Sequence, residues 1–162
     1  AYACGDSPLG PVLAAVGDRG LAAVLFGEDE TALVADLAQR FPKARLQADA
    51  ASAGPALVQV QRRLADPAAP LAVPLDPRAA PLALQVREAL MATRPGETLS
   101  YGDLARAIGR PKAARAVAQA LAANPLAVVA PCHRVVRGDG ELGGYRWGAW
   151  RKQALLRQEA SA

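Results

Sequence analysis

Between Asp66 and Pro81 the chain places five prolines (Pro67, Pro70, Pro74, Pro77 and Pro81) within sixteen residues. Proline fixes φ and lacks a backbone donor, so neither a continuous helix nor a central strand can run through this stretch. It is expected to be an extended linker or edge segment. A domain boundary is drawn within it, giving an N-terminal α/β scaffold over residues 1–76 and a C-terminal domain over 77–162. A length of 162 residues suits one mid-sized domain or two small ones packed together. With 52% hydrophobic residues, such a chain can bury a core without disulfide or metal staples.

Before the prolines, short apolar runs alternate with turn signals. Gly10–Val16 reads as a strand, Gly17-Asp18-Arg19-Gly20 as a turn, and Leu21–Phe26 as the hairpin partner ended by Gly27. Glu28–Arg40 carries acids in its first turn and apolar residues at 33, 34 and 37, the pattern of a helix. A second helix is expected over Gly54–Leu64. This half offers no chemistry of its own.

After the prolines, helical character resumes from Leu82 to Thr93, and Arg94–Glu97 reads as a turn. Ser100 can cap a helix running from Tyr101 to Ile108 and stopping at Gly109. A second helix is expected from Lys112 to Ala123, ended by Asn124-Pro125 because the residue before proline resists helical geometry. Two short helices joined by a glycine turn have the layout of a helix-turn-helix, although many helical hairpins bind nothing. The second is rich in alanine, so its backbone can approach a partner closely. Leu126–Ala130 has the length of a strand and delivers Pro131-Cys132-His133-Arg134, followed by a glycine-rich loop. A closing helix is expected from Ala149 to Ala160.

Charge is unevenly spread. Residues 1–99 carry a net −2 and residues 100–162 a net +6, which points either to a polyanionic partner at the C-terminal half or to a solvated basic surface. No run of about 18 apolar residues is present, so no membrane span is expected, and the start has no signal-peptide pattern. The chain opens on Ala1, so a processed start and a domain of a longer protein are both carried as expectations. Two cysteines, Cys4 and Cys132, form no disulfide framework or zinc spacing, and a single histidine argues against a metal. A reduced, cytoplasmic protein is expected.

Cys132 beside the only histidine, His133, is a candidate nucleophile, since the thiolate is the reactive form and imidazole can take its proton. The alternative is an inert buried cysteine. Neighbours in an extended chain point to opposite faces, so His133 needs a turn or a bridging water to reach the sulfur.

The wider stretch Pro131-Cys132-His133-Arg134-Val135-Val136 resembles the signature of the O6-alkylguanine-DNA alkyltransferases, and within them the C-terminal domain of bacterial adaptive-response proteins. The resemblance extends to Gly96–Tyr101, Ile108–Val117, Ala123-Asn124-Pro125 and Gly144–Gly148, and is strongest from Gly96 to Glu159. It implies a small ribonuclease H-like N-terminal α/β domain and a mostly helical C-terminal domain with a winged-helix-like helix-turn-helix. It further implies a single-turnover transferase that needs no cofactor or metal and acts as a monomer. Its partner is double-stranded DNA containing O6-alkylguanine, with O4-alkylthymine as a second substrate. Catalytic roles fall on Cys132 as alkyl acceptor, His133 as a base acting through water, and Glu159 as the group orienting His133. Tyr101 serves the leaving purine, and Asn124 ties the helix pair to the cysteine loop. Arg115 fills the gap left by an extruded nucleotide, with Lys112, Thr98, Ser100, Ala114 and Gln119 also on DNA. Pro131, Val135, Leu142, Tyr145, Arg146 and Trp147 form the alkyl pocket. Many relatives carry smaller residues at 146 and 147, so a narrow pocket favouring methyl is expected.

The chain departs from the family pattern at Ala79, Ala80, Leu82 and Arg87, which bear on packing and not on the reactive residues. It also lacks the ligands of the structural zinc that some relatives carry, and Cys4 reads as a passive thiol. Read from the residues alone, Glu159 is also compatible with an exposed helix end, Tyr101 with a packing aromatic, Arg115 with a phosphate contact, and Asn124 with simple helix termination. Two rival functions remain. A Cys-His hydrolase requires turnover and a separate orienting acid or amide, and a non-reactive DNA binder of the same fold lacks the acceptor cysteine.

Overall fold

The computed structural model describes residues 1–161 and divides the chain into two compact units. The first contains Ala1–Pro77 with Pro125–Val129, and the second Arg78–Asn124 with the chain from Ala130 onward. The fold class is mixed α/β.

In the first unit β1 (Tyr2–Gly5), β2 (Val12–Gly17) and β3 (Gly20–Phe26) form an antiparallel sheet in sequence order. The β2–β3 hairpin was legible, whereas β1 was not, because only four residues pair there. Helix α1 (Glu30–Arg40) starts at Asp29, whose carboxylate accepts from Ala32 N at 2.8 Å. Helix α2 (Ala50–Ala65) begins four residues before the expected Gly54. Asp49 caps it by accepting from Ala51 and Ser52, and Pro55 is carried inside the helix. The two helices pack on the sheet over a core of Leu13, Leu21, Val24, Leu25, Leu33 and Val60, each fully buried.

The proline-rich stretch behaves as an edge. Leu21 N donates to Pro74 O at 2.7 Å and Asp76 N to Leu21 O at 2.9 Å, so one bridge adds it to β3. Gly20, with φ +122°, permits this approach, because a Cβ there would lie 2.3 Å from the Pro74 carbonyl oxygen.

Leu126–Ala130, expected as a strand, is not one. Val24 N donates to Pro125 O and Ala127 N to Val24 O, giving a single bridge to β3, after which the backbone turns. The turn puts Val128 at φ +69°, a left-handed conformation that a β-branched residue adopts only under strain. Apolar composition reported burial here, not extension.

In the second unit α3 (Pro81–Met91), α4 (Tyr101–Ala107) and α5 (Ala114–Ala122) pack on one another around Val86, Leu90, Leu104, Val117 and Leu121. Gly109, at φ +76°, turns the chain between α4 and α5. Ser100 and Asp103 form a capping box at the start of α4. Two-residue strands β4 (Leu99–Ser100) and β5 (Val135–Val136) pair in parallel. A 3₁₀ turn over Cys132–Arg134 leads directly into β5, and α6 (Ala149–Ala160) packs on that turn.

Candidate active site

The 3₁₀ turn makes the arrangement around Cys132 different from the extended geometry expected. Cys132 N donates to Ala130 O at 2.7 Å, Arg134 N to Pro131 O at 3.1 Å, and the Val135 amide to Cys132 O. Successive side chains then diverge by about 120° instead of alternating. Cys132 and His133 are 7% and 1% exposed, so both are held inside the unit.

His133 Nε2 lies 3.0 Å from Glu159 Oε2. The ring N–H is not aimed along that line, so the contact is an electrostatic approach more than an aligned hydrogen bond. The other ring nitrogen, Nδ1, is buried with no protein partner among the described residues. Burial lowers the His133 pKa, opposed by Glu159, and favours a neutral ring. Glu159 is itself buried, unlike most glutamates near a helix end. Burial pushes its carboxyl up, but the close approach of the His133 ring and the hydrogen-bonded Arg134 guanidinium outweigh this and hold it at about 2.

Arg134 and Lys152 were not singled out in the sequence. The Arg134 guanidinium donates from Nε to Glu159 Oε1 at 3.0 Å and from Nη2 to Oε2 at 2.8 Å. Its Nη1 reaches Thr93 O and Oγ1, just past the end of α3. Lys152 is fully buried, and its ammonium donates to Val135 O at 2.6 Å and Gly144 O at 3.0 Å, joining β5 to the glycine-rich loop. One signal did exist. Positions 152, 155 and 159 lie at helical spacing on one face of α6, and that face is buried.

Burial raises the Cys132 pKa, opposed first by a hydrogen bond with the Asn124 side chain and then by the Lys152 charge. Asn124 Nδ2 also donates to Ala130 O at 3.0 Å, so one amide links the end of α5 to the cysteine turn. A cleft of about 140 Å³ opens beside the sulfur. Tyr101 of α4, Ala118, Leu121 and Ala122 of α5, and Gly144, Tyr145 and Arg146 of the loop line it with Cys132.

Of the expected pocket residues, Tyr145 and Arg146 reach this cleft, whereas Pro131, Val135, Leu142 and Trp147 are not among its lining. Val135 is buried in β5, paired with Leu99. Trp147 is buried and meets the Tyr145 ring in an edge-to-face contact, with centroids 5.3 Å apart. The Tyr145 hydroxyl oxygen is buried with no protein partner among the described residues, a state that disfavours the fold by about 1–3 kcal/mol.

The expected DNA-facing residues Thr98, Lys112, Arg115 and Gln119 are exposed, Ser100 is occupied in the capping box, and Ala114 is the first residue of α5. Among the described residues no group of three or more His, Cys, Asp or Glu side chains could hold a metal. No helix of the structure is long and apolar enough to cross a membrane. A buried thiol, a neutral imidazole over a carboxylate and an adjoining cleft can together perform nucleophilic transfer to sulfur.

Residues 81–161 match the family described as 6-O-methylguanine DNA methyltransferase, DNA binding domain. The chain is similar to the bifunctional transcriptional activator/DNA repair enzyme Ada of Escherichia coli, at 48% identity over 98% of this chain and 45% of that protein. The chain thus spans about half the length of the curated relatives it matches. It is also similar to the crystal structure of Mycobacterium tuberculosis O6-methylguanine methyltransferase, at TM-score 0.79 and 35% identity, covering 99% of this chain and 92% of that one. Mycobacterium tuberculosis OGT solved in complex with DNA matches at TM-score 0.78 and 34% identity, over 99% and 93% of the two chains.

Proposed function

Because the chain belongs to the 6-O-methylguanine DNA methyltransferase family, we propose that Cys132 takes an alkyl group, mainly methyl, from the O6 of guanine in DNA. The transfer is stoichiometric and irreversible. The observation that carries this reading is the sharing of one cleft by Cys132 and Tyr101, with the buried His133–Glu159 pair anchored in the same 3₁₀ turn as the cysteine. O4-alkylthymine is a second substrate of the same chemistry.

In the proposed reaction the thiol proton passes through a water to His133 Nδ1, and the sulfur attacks the alkyl carbon in line. The carbon–O6 bond breaks with its electron pair left on the purine, which Tyr101 assists by hydrogen bonding. Glu159 stabilises the imidazolium. The product is a thioether with no ready leaving group, so one molecule acts once. Asn124 keeps the cysteine turn in register with the helix-turn-helix.

The target base is extruded from the minor groove, which at about 6 Å wide suits the alanine-rich α5. Extrusion costs a few kcal/mol, and Arg115 inserted in place of the nucleotide offsets the lost stacking. Lys112, Thr98, Ser100, Ala114 and Gln119 sit along the same contact, and the net +6 of residues 100–162 supplies sequence-independent affinity. In this reading the first unit is a ribonuclease H-like scaffold and the second carries a winged-helix-like motif. The protein works as a cytoplasmic monomer without cofactor, with damaged double-stranded DNA as its partner.

Mass spectrometry after mixing with DNA containing O6-methylguanine tests the proposal. One methyl should appear on the Cys132 peptide per protein molecule and be absent in Cys132→Ala. Turnover beyond one equivalent, or methylation elsewhere, defeats it.

A further inference from the structure

We propose that the Tyr145 hydroxyl is a catalytic hydrogen-bond donor to the Cys132 sulfur, stabilising the thiolate before it attacks. This rests on the reading of Cys132 as the nucleophile and adds a residue to its machinery.

A buried hydroxyl without a partner is unusual, because folding removes it from water and returns nothing. Tyr145 lines the same cleft as Cys132, and its hydroxyl has no protein partner among the described residues. Its ring packs edge-to-face on the buried Trp147. An orphaned donor lining the cleft of a nucleophile is best explained by an acceptor that appears during the reaction, and the thiolate, whose charge Tyr145 already senses, is that acceptor.

The other groups around the sulfur leave room for this donor. The Asn124 amide is shared between the thiol and Ala130 O, and the Lys152 ammonium is engaged by two backbone carbonyls. Tyr101 and Arg146 reach the cleft from α4 and from the loop. His133 and Glu159 form the buried pair, and Arg151 adds a positive charge near Tyr145. Burial, followed by the neighbouring Cys132 charge, raises the Tyr145 pKa well above its ordinary value, so the phenol keeps its proton and remains a donor. No proton is transferred from Tyr145, which only lends a hydrogen bond.

The test is Tyr145→Phe, which deletes only the hydroxyl. The rate of iodoacetamide alkylation is followed on the Cys132 peptide across the pH range in which thiols titrate, alongside thermal melting and methyl transfer from O6-methylguanine DNA. The midpoint of alkylation should rise by about one pH unit and the neutral-pH rate fall about tenfold. The melting temperature should stay level or rise, because an unsatisfied polar group has been removed. This opposition of stability and reactivity is what a merely structural tyrosine would not give. An unmoved midpoint overturns the proposal, and so does a lower melting temperature with alkylation slowed equally at every pH. Slowed DNA transfer with unchanged iodoacetamide chemistry assigns the hydroxyl to the purine and overturns it as well. Wild-type protein that reacts with iodoacetamide at Cys132 yet takes no methyl from DNA would refute the proposed function instead, independently of Tyr145.

Discussion

Glu159 Oε2 lies 3.0 Å from His133 Nε2, with both side chains buried, and the same carboxylate accepts three hydrogen bonds from the Arg134 guanidinium. One acid therefore serves a base and a cation that are adjacent in sequence. Together with His133, Arg134 keeps the carboxylate ionised, and it ties it to the end of α3 through Thr93. The charge facing the imidazole is thereby fixed by a residue outside the reacting pair.

The two titrations set a pH dependence of the same sign. The folded His133 pKa is below its ordinary 6.5, so the unfolded chain binds a proton first, and stability falls as pH drops below about 6.5. Glu159 is held at about 2 against an ordinary 4.5, so its contribution is complete above 4.5 and is lost as pH falls towards 2. Chemical unfolding followed from neutral to acid pH should show both declines. In Glu159→Gln the lower one should disappear, and neutral-pH stability should drop by about 3–5 kcal/mol because Arg134 is left buried without a counter-charge. Equal acid sensitivity in the variant would contradict this account.

Ser100 ends β4 and caps α4 at once, with its hydroxyl accepting from Asp103 N at 3.0 Å and its own amide donating to Asp103 Oδ2 at 3.1 Å. Ser100→Ala should lower stability by about 1 kcal/mol, the usual loss for a cap. Because β4 pairs with the strand that follows the cysteine turn, alkylation of Cys132 should slow slightly as well. A variant as stable as wild type would show that the capping box carries little.

These elements differ in how far they could be read from sequence. Ser100, Gly109 and Asn124 mark helix ends by local chemistry, so α4 and α5 fell within a residue or two of their expected bounds. The apolar run 126–130 and the short β1, β4 and β5 depend on partners distant in sequence, and no local pattern reports them. Cys132 and His133 stood out as a free thiol beside the only histidine, whereas Glu159 entered through motif resemblance alone, since it lies 26 positions after His133 and no local pattern joins the two. Arg134 and Lys152 escaped because a charged side chain is expected outside, whereas here a carboxylate and two carbonyls satisfy them within. Trp147 was placed on the alkyl pocket by register alone; it is buried against Tyr145, a contact no local pattern reports.

If α5 enters a groove, Lys112 and Arg115 should behave differently, although both are exposed cations. Lys112→Ala should weaken binding to undamaged and damaged duplexes alike and reduce the slope of log affinity against log salt by about 1. Arg115→Ala should slow methyl transfer from duplex DNA far more than it weakens binding, since extrusion costs a few kcal/mol that it no longer offsets. Titrations at several salt concentrations, paired with single-turnover transfer, separate the two. Identical effects from both substitutions would make Arg115 an ordinary phosphate contact.

Arg146 stands in the wall of the cleft beside the sulfur. It lines the cleft of about 140 Å³ with Tyr145, while Trp147 lies off the wall, so only one of the two large residues expected to narrow the pocket does so directly. Arg146→Gly should therefore speed transfer from benzyl-substituted guanine by roughly 10-fold or more, the scale on which pocket contacts discriminate. Methyl transfer should change little, because a methyl group does not reach that wall. Trp147→Ala should instead lower stability by about 3–5 kcal/mol through the cavity it leaves in the core. Rates with both adducts and melting curves for both variants test this. A benzyl gain from Trp147→Ala that exceeds the gain from Arg146→Gly would reverse the assignment of the wall.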